Sequence, residues 1–513
     1  MENNNSLRLS TEERGGDGYV ESSAEYILPD YNPDLRKLLY ACCEVKPAGK
    51  FSADEQVDFS GIVEYRCIYT DKDGELSEIS FTSDYEYGVS LLGDAIDADS
   101  FPWVQNYQVR VLGPRKISAK ASLVCENIYT NEKDMAGDEI PDGEDIELDK
   151  KKVLCGRLKR VESEERELAE EISRLDGVSI EEVTVISSAA DTGDTSFERD
   201  GSEGRCKSDF TVDLLYRDAE GRMIPVESVV SGEGVIGLDG VPEGADVICT
   251  PHILSERFEC LPGEDGVSIV ANLIVRWDAV CVYNEEQSIM TDAYSTDFAL
   301  ENRYSTVNLV SYGAPIREEM TKGGIIALDA ECGKIKEVLM IGERARITEK
   351  RVENGILDLG VELKIQGVVS CCDGEGNTTY APIKISDNIA KKVNLCSEKR
   401  ANQGAIVRIS NTDIEQKIDG NAVKYTADVA LDVIPYDEIS ERVLISAQRN
   451  ENEKVEKTSG RVTVYYTEPS DTLFSVAKRY HTTTAALLES NEITVTTSGG
   501  DENVKLPKRL IVY

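Results

Sequence analysis

A glycine-rich segment at residues 232–237, GEGVIG, has the glycine spacing of a dinucleotide-binding fingerprint. It also follows a β-rich run at 226–230. The fingerprint binds pyrophosphate where a helix begins at its end, because the helix N-terminus supplies the N–H donors. Residues 238–246, LDGVPEGAD, contain two glycines and a proline, which prevent such a helix. We therefore interpret the segment as a glycine-rich turn and predict that the chain binds no cofactor.

Metal and nucleophile chemistry have equally little support in the sequence. Asp71 and Asp73 have calcium-ligand spacing, but an EF-hand loop needs further acidic ligands and a terminal glutamate at fixed spacing. His252 and His481 are far from any clustered cysteines, so zinc-ligand spacing is missing. The sequence also contains no P-loop, no HExxH and no GxSxG. We predict no metal site, no catalytic residue and no enzymatic activity.

Thirteen cysteines are scattered along the chain without a C-x-x-C pair. The polar N-terminus lacks an apolar h-region, so we predict that no ordinary signal exports the protein. In a reducing compartment these cysteines are expected to be free thiols that pack as small hydrophobes. No apolar run reaches the roughly 20 residues that a membrane span needs, which predicts no direct membrane insertion.

The formal net charge of −40 is unevenly distributed. Residues 461–513 contain six basic and six acidic side chains, so the excess negative charge lies before residue 461. An acidic body repels the phosphates of nucleic acids and anionic membranes. We therefore expect neither as a partner.

Three acidic turns recur in this body, reading TDKDG at 70–74, RDAEG at 217–221 and CDGEG at 372–376. Their aspartates lie 147 and then 155 residues apart, and each turn follows a strand of alternating apolar residues. An acidic residue and a glycine after such a strand predict a hairpin turn. A second alternating strand then leads to a tyrosine in each interval, namely Tyr129, Tyr283 and Tyr436. Alternation places one face in a core, which favours a β-sandwich or a partly open barrel for each interval.

Short amphipathic segments precede the β units at 28–45, 179–189 and 333–347. In the first segment Asn32 and Pro33 are residues that favour a helix start. The longest helix is predicted over 162–175. The first and third segments match at a constant offset of 300, with Leu35, Leu38 and Leu39 corresponding to Ile335, Val338 and Leu339.

The predicted fold class is mainly β, with three tandem β-sandwich-like repeats followed by a small C-terminal βααβ domain. The repeats are placed at 1–150, 151–305 and 306–448. A charged linker at 449–460 is expected to let the last domain, at 461–513, move against the body.

The last domain shows the order strand, helix, helix, strand. A β-rich run at 462–466 is followed by a helix over 472–480 that Asp471 is expected to cap. A second helix is predicted at 485–490, and another β-rich run closes the chain at 509–513.

Residues 466–491, YTEPSDTLFSVAKRYHTTTAALLESN, resemble the LysM family. Ser470, Phe474 and His481 stand where that family commonly has glycine, tryptophan and glycine. The resemblance implies a groove between the strand-to-helix loop and the segment after the second helix, which in many members holds N-acetylglucosamine chains. The implied groove residues here are Ser470, Asp471, Thr472, Leu473, Asn491, Glu492, Ile493 and Lys505.

The stretch LPDYNPDLRKLL at 28–39, the tandem strand–turn–strand units and the terminal LysM-like domain resemble the SPOCS-domain proteins of spore-forming clostridia. The resemblance implies a scaffold in the mother-cell cytoplasm, at the forespore surface, that helps build the spore coat. It implies that the LysM domain binds the morphogenetic ATPase of the coat's basement layer, and that the repeats contact other coat proteins. The alternative is a glycan-binding protein of the cell wall or spore cortex. The missing export signal favours the scaffold, because peptidoglycan lies outside the membrane.

Overall fold

The structure is a computed structural model of the chain. It describes residues 7–53, 55–135, 143–263, 265–328, 333–372, 376–395, 402–455, 462–491, 493, 496–498, 501–503 and 506–512.

The described body is built of strands in three sets, which we call repeats 1, 2 and 3. Repeat 1 contains β1 (Leu7–Arg14), β2 (Gly18–Ile27), β3 (Lys37–Ala53), β4 (Gln56–Thr70), β5 (Leu76–Ser90), β6 (Ala95–Gly113) and β7 (Lys116–Met135). Repeat 2 contains β8 (Ile146–Glu162), β9 (Arg166–Asp176), a 3-10 turn (Ile180–Glu182), β10 (Thr184–Asp200), β11 (Glu203–Arg217), β12 (Met223–Gly237), β13 (Asp246–Pro262) and β14 (Gly266–Ser295). Repeat 3 contains β15 (Phe298–Tyr312), β16 (Ile316–Ala327), β17 (Lys334–Glu353), β18 (Ile356–Cys372), β19 (Thr378–Asn394), β20 (Gln403–Asp419) and β21 (Ala422–Lys454).

The C-terminal unit contains two helices and two small sheets. Its elements are β22 (Thr463–Tyr466), α1 (Leu473–Tyr480), α2 (Thr484–Asn491), β23 (Thr496–Ser498), β24 (Asp501–Asn503) and β25 (Arg509–Val512). The predicted mainly β class with a C-terminal βααβ unit is confirmed. Among the residues just given, no helix is long and apolar enough to cross a bilayer.

Each repeat builds the same pair of antiparallel sheets. A three-stranded meander, such as β3–β4–β5, faces a four-stranded sheet in which the long strand β7 pairs with β1, β2 and β6. In repeats 2 and 3 the long strands are β14 and β21. The inward residues of both sheets form one core per repeat, as the alternating patterns predict. The division of the chain at residues 150, 305 and 448 stays a prediction.

The predicted helices of the body are wrong. The segments at 28–45, 162–175 and 333–347 contribute mainly to the strands β3, β9 and β17. The segment at 179–189 forms a 3-10 turn and then the first residues of β10. The apolar spacing of these segments fits a helix as well as a strand. In the fold, however, each strand that they form pairs with a neighbouring strand. Ladder hydrogen bonds and cross-strand packing then override helix propensity.

A β-bulge explains why these segments looked amphipathic at a helical period. Each meander carries one bulge at the same place, which skips Leu39 in β3, Ile186 in β10 and Leu339 in β17. The extra residue breaks the two-residue alternation and turns a side chain to the other face. The constant offset of 300 therefore relates equivalent positions of repeats 1 and 3, but these positions lie in strands rather than in helices.

The bulged residues meet at a common point, which we call the central cluster. It is formed by equivalent positions of all three repeats, so the meanders are arranged around a pseudo-threefold axis. The cluster contains Leu39, Ile186 and Leu339, then Ile68, Leu215 and Val368, then Leu76, Met223 and the half-buried Tyr380. A second shared cluster contains the equivalent long-strand residues Ile128, Val280 and Ile434.

Polar contacts close the body into a ring, with charged side chains reaching across each boundary between repeats. Arginine makes such a contact at each of the three boundaries, which suits its several donors and its retained charge. These contacts include Arg66 with Glu256, Arg449 with Asp145 at 2.7 Å, and Arg346 with the main-chain oxygen of Gln105 at 2.7 Å.

The Arg449 contact also corrects the predicted linker. Residues 449–454 belong to β21, where Arg449 pairs in register with Leu300, and only the remainder of 449–460 follows the strand. The aligned strand and the partly buried ion pair hold residues 449–454 in the sheet.

The acidic turns behave as predicted where the structure describes them. Asp71 accepts from the N–H groups of Asp73 and Glu75, at 2.8 and 2.9 Å, and Asp218 makes the same two bonds in repeat 2. Gly74, with φ of 86°, supplies the left-handed conformation that such a turn requires. In the third turn, residues 373–375 lie outside the described range.

The segment 232–237 is strand rather than the predicted turn. It forms the end of β12, paired with β11, and no helix follows it. A Cβ on Gly234 would lie 2.3 Å from the ring of Trp277, so this glycine lets β12 pack on the large buried indole. Close packing, rather than phosphate binding, accounts for a glycine there.

The expectation that all cysteines are free thiols is wrong at one place. Cys206 in β11 and Cys249 in β13 lie on facing sheets of repeat 2, with Cα atoms 6.8 Å apart, and form a disulfide. Six of the nine other described cysteines are buried, as expected for side chains that pack as small hydrophobes.

Reduction of this bond is expected to destabilise repeat 2, because a cross-link over 43 residues restricts the unfolded chain. The expected loss in free energy of unfolding is about 2–4 kcal/mol, measured by denaturant unfolding with and without reductant. The double variant Cys206→Ala/Cys249→Ala is the control, since it should behave like the reduced protein in both buffers. Identical unfolding of the wild type under both conditions would contradict the cross-link.

Candidate functional site

The C-terminal unit surrounds one small core. β22 pairs antiparallel with β25, and α1 and α2 pack over this ribbon. The buried side chains are Val476, Ala477, Leu487, Leu510 and Val512. The two loops that define the implied groove connect β22 to α1 and α2 to β25.

Side-chain hydrogen bonds order the first loop, and they show that the predicted helix cap, Asp471, is wrong. Thr472 caps α1, because its hydroxyl accepts from the N–H of Ser475 at 3.0 Å, while the Ser475 hydroxyl accepts from the N–H of Thr472. Asp471 therefore does not cap the helix. It accepts instead from the N–H of Glu468 and the hydroxyl of Tyr465, each at 2.7 Å, and these bonds lower the pKa of the carboxyl.

Asn491 has a structural role at the end of α2. Its amide donates to the carbonyl of Ile511 at 2.8 Å and accepts from the same residue's N–H at 2.6 Å. A second donation reaches the carbonyl of Leu487 at 2.9 Å. These bonds fasten the helix to β25, so this side chain shapes the groove without being free to bind.

The groove's other predicted residues fall into two groups. Leu473 and Ile493 are partly buried against the same core, which makes them candidates for an apolar floor. Ser470 and Thr472 are exposed at the loop. Glu492 and Lys505 lie outside the described residues.

The described part of the C-terminal unit has basic side chains at the rim of the groove. Lys508 and Arg509 are exposed beside the second loop, and Arg509 lies 5.9 Å from the centroid of the Tyr466 ring. Because the body is acidic, this rim differs in charge from most of the protein surface.

His481 ends α1 in the left-handed conformation, with φ of 50°. This is where the LysM pattern commonly has glycine, and glycine adopts that conformation at the lowest cost. His481 therefore caps the C-terminal end of α1.

The contact between the C-terminal unit and the body was not predicted from the sequence. Tyr294, at the end of β14, is 4 % exposed and belongs to the core of the C-terminal unit. Its ring meets Phe474 edge to face at 5.1 Å, and its hydroxyl donates to the carbonyl of Thr482 at 2.7 Å. Phe474 therefore turns toward the body, and the unit is docked despite the charged sequence that precedes it.

Two polar contacts border this docking surface. Lys478 pairs with Asp292, and Thr484 donates to Glu147 at 2.8 Å. Burial would raise the pKa of Asp292, but the hydrogen bond and charge of Lys478 lower it overall. These four contacts with the body come from α1, from Thr482 between the helices and from the start of α2, so they leave the first groove loop exposed.

Inside the ring is a chamber of about 1080 Å³ that is lined by all three repeats. Its wall between repeats 1 and 2 is rich in carboxylates, several of them poorly hydrated. Glu78 and Asp213 belong to the same boundary but not to the lining of the chamber. Burial is the main cause that raises the pKa of each to about 7, and Asp191 and Glu227 contribute to the shift of Asp213. Within the described residues, no group of three or more His, Cys, Asp and Glu side chains is arranged to hold a metal ion.

These carboxyls make stability depend on pH in an unusual direction. Their folded pKa values exceed the unfolded ones, so their contribution is complete below about pH 4 and disappears as pH rises to about 7. The melting temperature should therefore fall between pH 5 and pH 8. Asp213→Asn, which stays uncharged, should raise the melting temperature at pH 8 and flatten this dependence, whereas the exposed control Asp209→Asn should not. A melting temperature that rises over this range in the wild type would contradict the assignment.

Comparison with known proteins gives one match. The model of the LysM domain family matches residues 465–497, which cover the end of β22, the first groove loop and both helices. No curated protein matches the chain, and no solved structure matches it. The strand–helix–helix–strand order, the capped α1 and the left-handed turn at His481 agree with that match. The C-terminal unit of this protein is a LysM domain.

Proposed function

We propose that this chain is a non-enzymatic assembly scaffold of spore coat morphogenesis, with the layout of the SipL-type SPOCS-domain proteins. Its place would be the mother-cell cytoplasm at the forespore surface. The LysM domain would bind the morphogenetic ATPase of the coat's basement layer, and the β repeats would contact other coat proteins.

The observation that carries the proposal is the docked LysM domain with an exposed groove loop. Tyr294 fixes the domain to a closed ring, while Ser470 and Thr472 remain accessible. A fixed domain loses little freedom when a partner binds, which suits a scaffold that holds another protein in place. Leu473 and Ile493 would form the apolar floor, and Lys508 and Arg509 a rim sensitive to salt.

Full-length protein should retrieve the coat ATPase from a sporulating lysate, whereas a chain ending at Lys454 should not. Leu473→Ala should weaken the interaction by about 1–3 kcal/mol, because it removes part of the floor. Lys508→Ala should mainly change its salt dependence. Circular dichroism of each variant shows whether the domain is still folded, and the exposed Val235→Ala is the matched control.

Glycan binding is the second candidate, since many LysM domains bind N-acetylglucosamine chains. Sedimentation of the same proteins with chitin and with peptidoglycan tests it directly. If full-length protein sediments with glycan through Leu473 and retrieves no protein, the scaffold proposal is wrong and the wall-binding function replaces it.

A further inference from the structure

The loop between β2 and β3, residues 28–36, is held firmly although it has no regular secondary structure. Arg115 donates to three of its main-chain carbonyls and pairs with Asp34 at 2.8 Å. The hydroxyl of Tyr69 donates to the carbonyl of Pro33 at 3.0 Å. A loop fixed in this way is preorganised, so it loses little entropy when it contacts another molecule.

This loop displays a large aromatic side chain to solvent. Tyr31 is 87 % exposed at its tip. Ile27, at the end of β2, is 69 % exposed, and Leu112, near the β6–β7 turn, is 53 % exposed. All three lie at one end of repeat 1, because Ile27 pairs with Lys116 just after that turn. We call them the repeat 1 patch.

The sister repeats show that the fold does not require this patch. The aligned pairing positions on β7, β14 and β21 hold Ile27, Arg174 and Ala327. In repeat 2 the equivalent loop has a capping box between Ser179 and Glu182, and its apolar side chain Ile180 is 42 % exposed, against 87 % for Tyr31. Exposed apolar side chains that are not needed for folding mark an interaction surface.

The charges around the patch identify a suitable occupant. The surrounding ionisable side chains nearly balance, and some are already paired, as Glu25 and Lys116 are at 2.7 Å. They are Glu25, Asp30, Asp34, Arg36, Lys37, Arg115 and Lys116. With a net charge of −40, two copies of this chain repel each other over most of their surfaces. They can approach where the local charge is small and apolar side chains are exposed.

We propose that the repeat 1 patch is the contact between two copies of this chain, related by a twofold axis. In such an interface the same surface is used by both copies. Tyr31 of each copy packs against Ile27 and Leu112 of the other. Two LysM domains are thereby joined in one particle, so each would strengthen the other's hold on a partner that has several binding sites.

Sedimentation velocity of the full-length protein over a concentration series tests the proposal. The wild type should form a dimer. Tyr31→Ser and Ile27→Ser should each raise the dimer dissociation constant about 30-fold or more, as expected for central aromatic and aliphatic anchors. The matched control is Ile325→Ser, an exposed side chain on β16 in repeat 3, which should leave the dimer intact.

All three side chains are exposed, so each variant should keep the wild-type melting temperature. A wild type that stays monomeric at its highest soluble concentration would overturn the proposal. So would a dimer that survives both patch substitutions or is lost in Ile325→Ser. None of these results depends on the ligand of the LysM domain, so the scaffold function is tested separately.

Discussion

Replacing Tyr294 with alanine is expected to release the LysM domain from the body of the protein. The side chain is almost fully buried in the LysM core, and its removal leaves a cavity between β14 and α1. We expect a loss of about 3–5 kcal/mol in the stability of the docked domain, as for large aromatic side chains in other cores. Hydrogen exchange of residues 473–491 should then accelerate, and proteases should cut near residue 462.

Tyr294→Phe is the matched control for this experiment. It keeps the ring against Phe474 and removes only the hydrogen bond to the carbonyl of Thr482. The expected cost is about 1 kcal/mol, because one neutral hydrogen bond is lost. If Tyr294→Ala leaves the exchange protection of α1 and α2 unchanged, the domain is not held by this contact.

Arg66→Met should open the boundary between repeats 1 and 2. Arg66 pairs with Glu256 and, at 3.2 Å, with Glu78. Methionine fills similar space without a charge, so Glu256 and Glu78 lose their arginine partner at a poorly hydrated boundary. Removing one partner of such a network is expected to cost about 3–5 kcal/mol of unfolding free energy near pH 8.

The double variant Arg66→Met/Glu256→Gln separates this effect from lost packing. The amide cannot ionise but can still accept from the N–H of Ala190, as Glu256 does at 2.9 Å. The double variant should therefore recover part of the stability lost in Arg66→Met, measured as a coupling energy. Full additivity of the two substitutions would show that the charges do not interact.

The strand content of the body was predictable because most of its strands have one buried face. The side chains of residues such as Leu357, Leu359 and Val361 all point inward at every second position. A period of two residues is typical of a strand and not of a helix. The helix predictions failed where that period is broken. A bulge at Leu39 or Ile186 places apolar side chains three and four residues apart, which is also the helical spacing.

The residues of the predicted groove differ in how well the local sequence predicts their roles. The capping exchange between Thr472 and Ser475 shifted the helix cap by one position from Asp471. The sequence around Asn491 does not predict its hydrogen bonds to Ile511, because these depend on how α2 packs against β25. Tyr294 lies about 180 residues before Phe474, and no local sequence pattern reports a contact at that separation. Long-range packing is the part that the sequence alone did not reveal.

The charged stretch before the LysM domain shows the same limit. Its composition is typical of a linker, yet Arg449 is held in β21 by Asp145, which lies about 300 residues earlier. A charged composition predicts that a segment is exposed to solvent. It does not predict which of its charged side chains pair with a residue near a distant strand.

The most direct test of the scaffold account is the location of a fluorescent fusion in sporulating and growing cells. The account predicts that the full-length fusion is diffuse during growth and gathers around the forespore during sporulation. A fusion ending at Lys454 should stay diffuse, since it lacks the LysM domain. Recruitment without the LysM domain, or accumulation of the full-length fusion at the cell wall, would contradict the account.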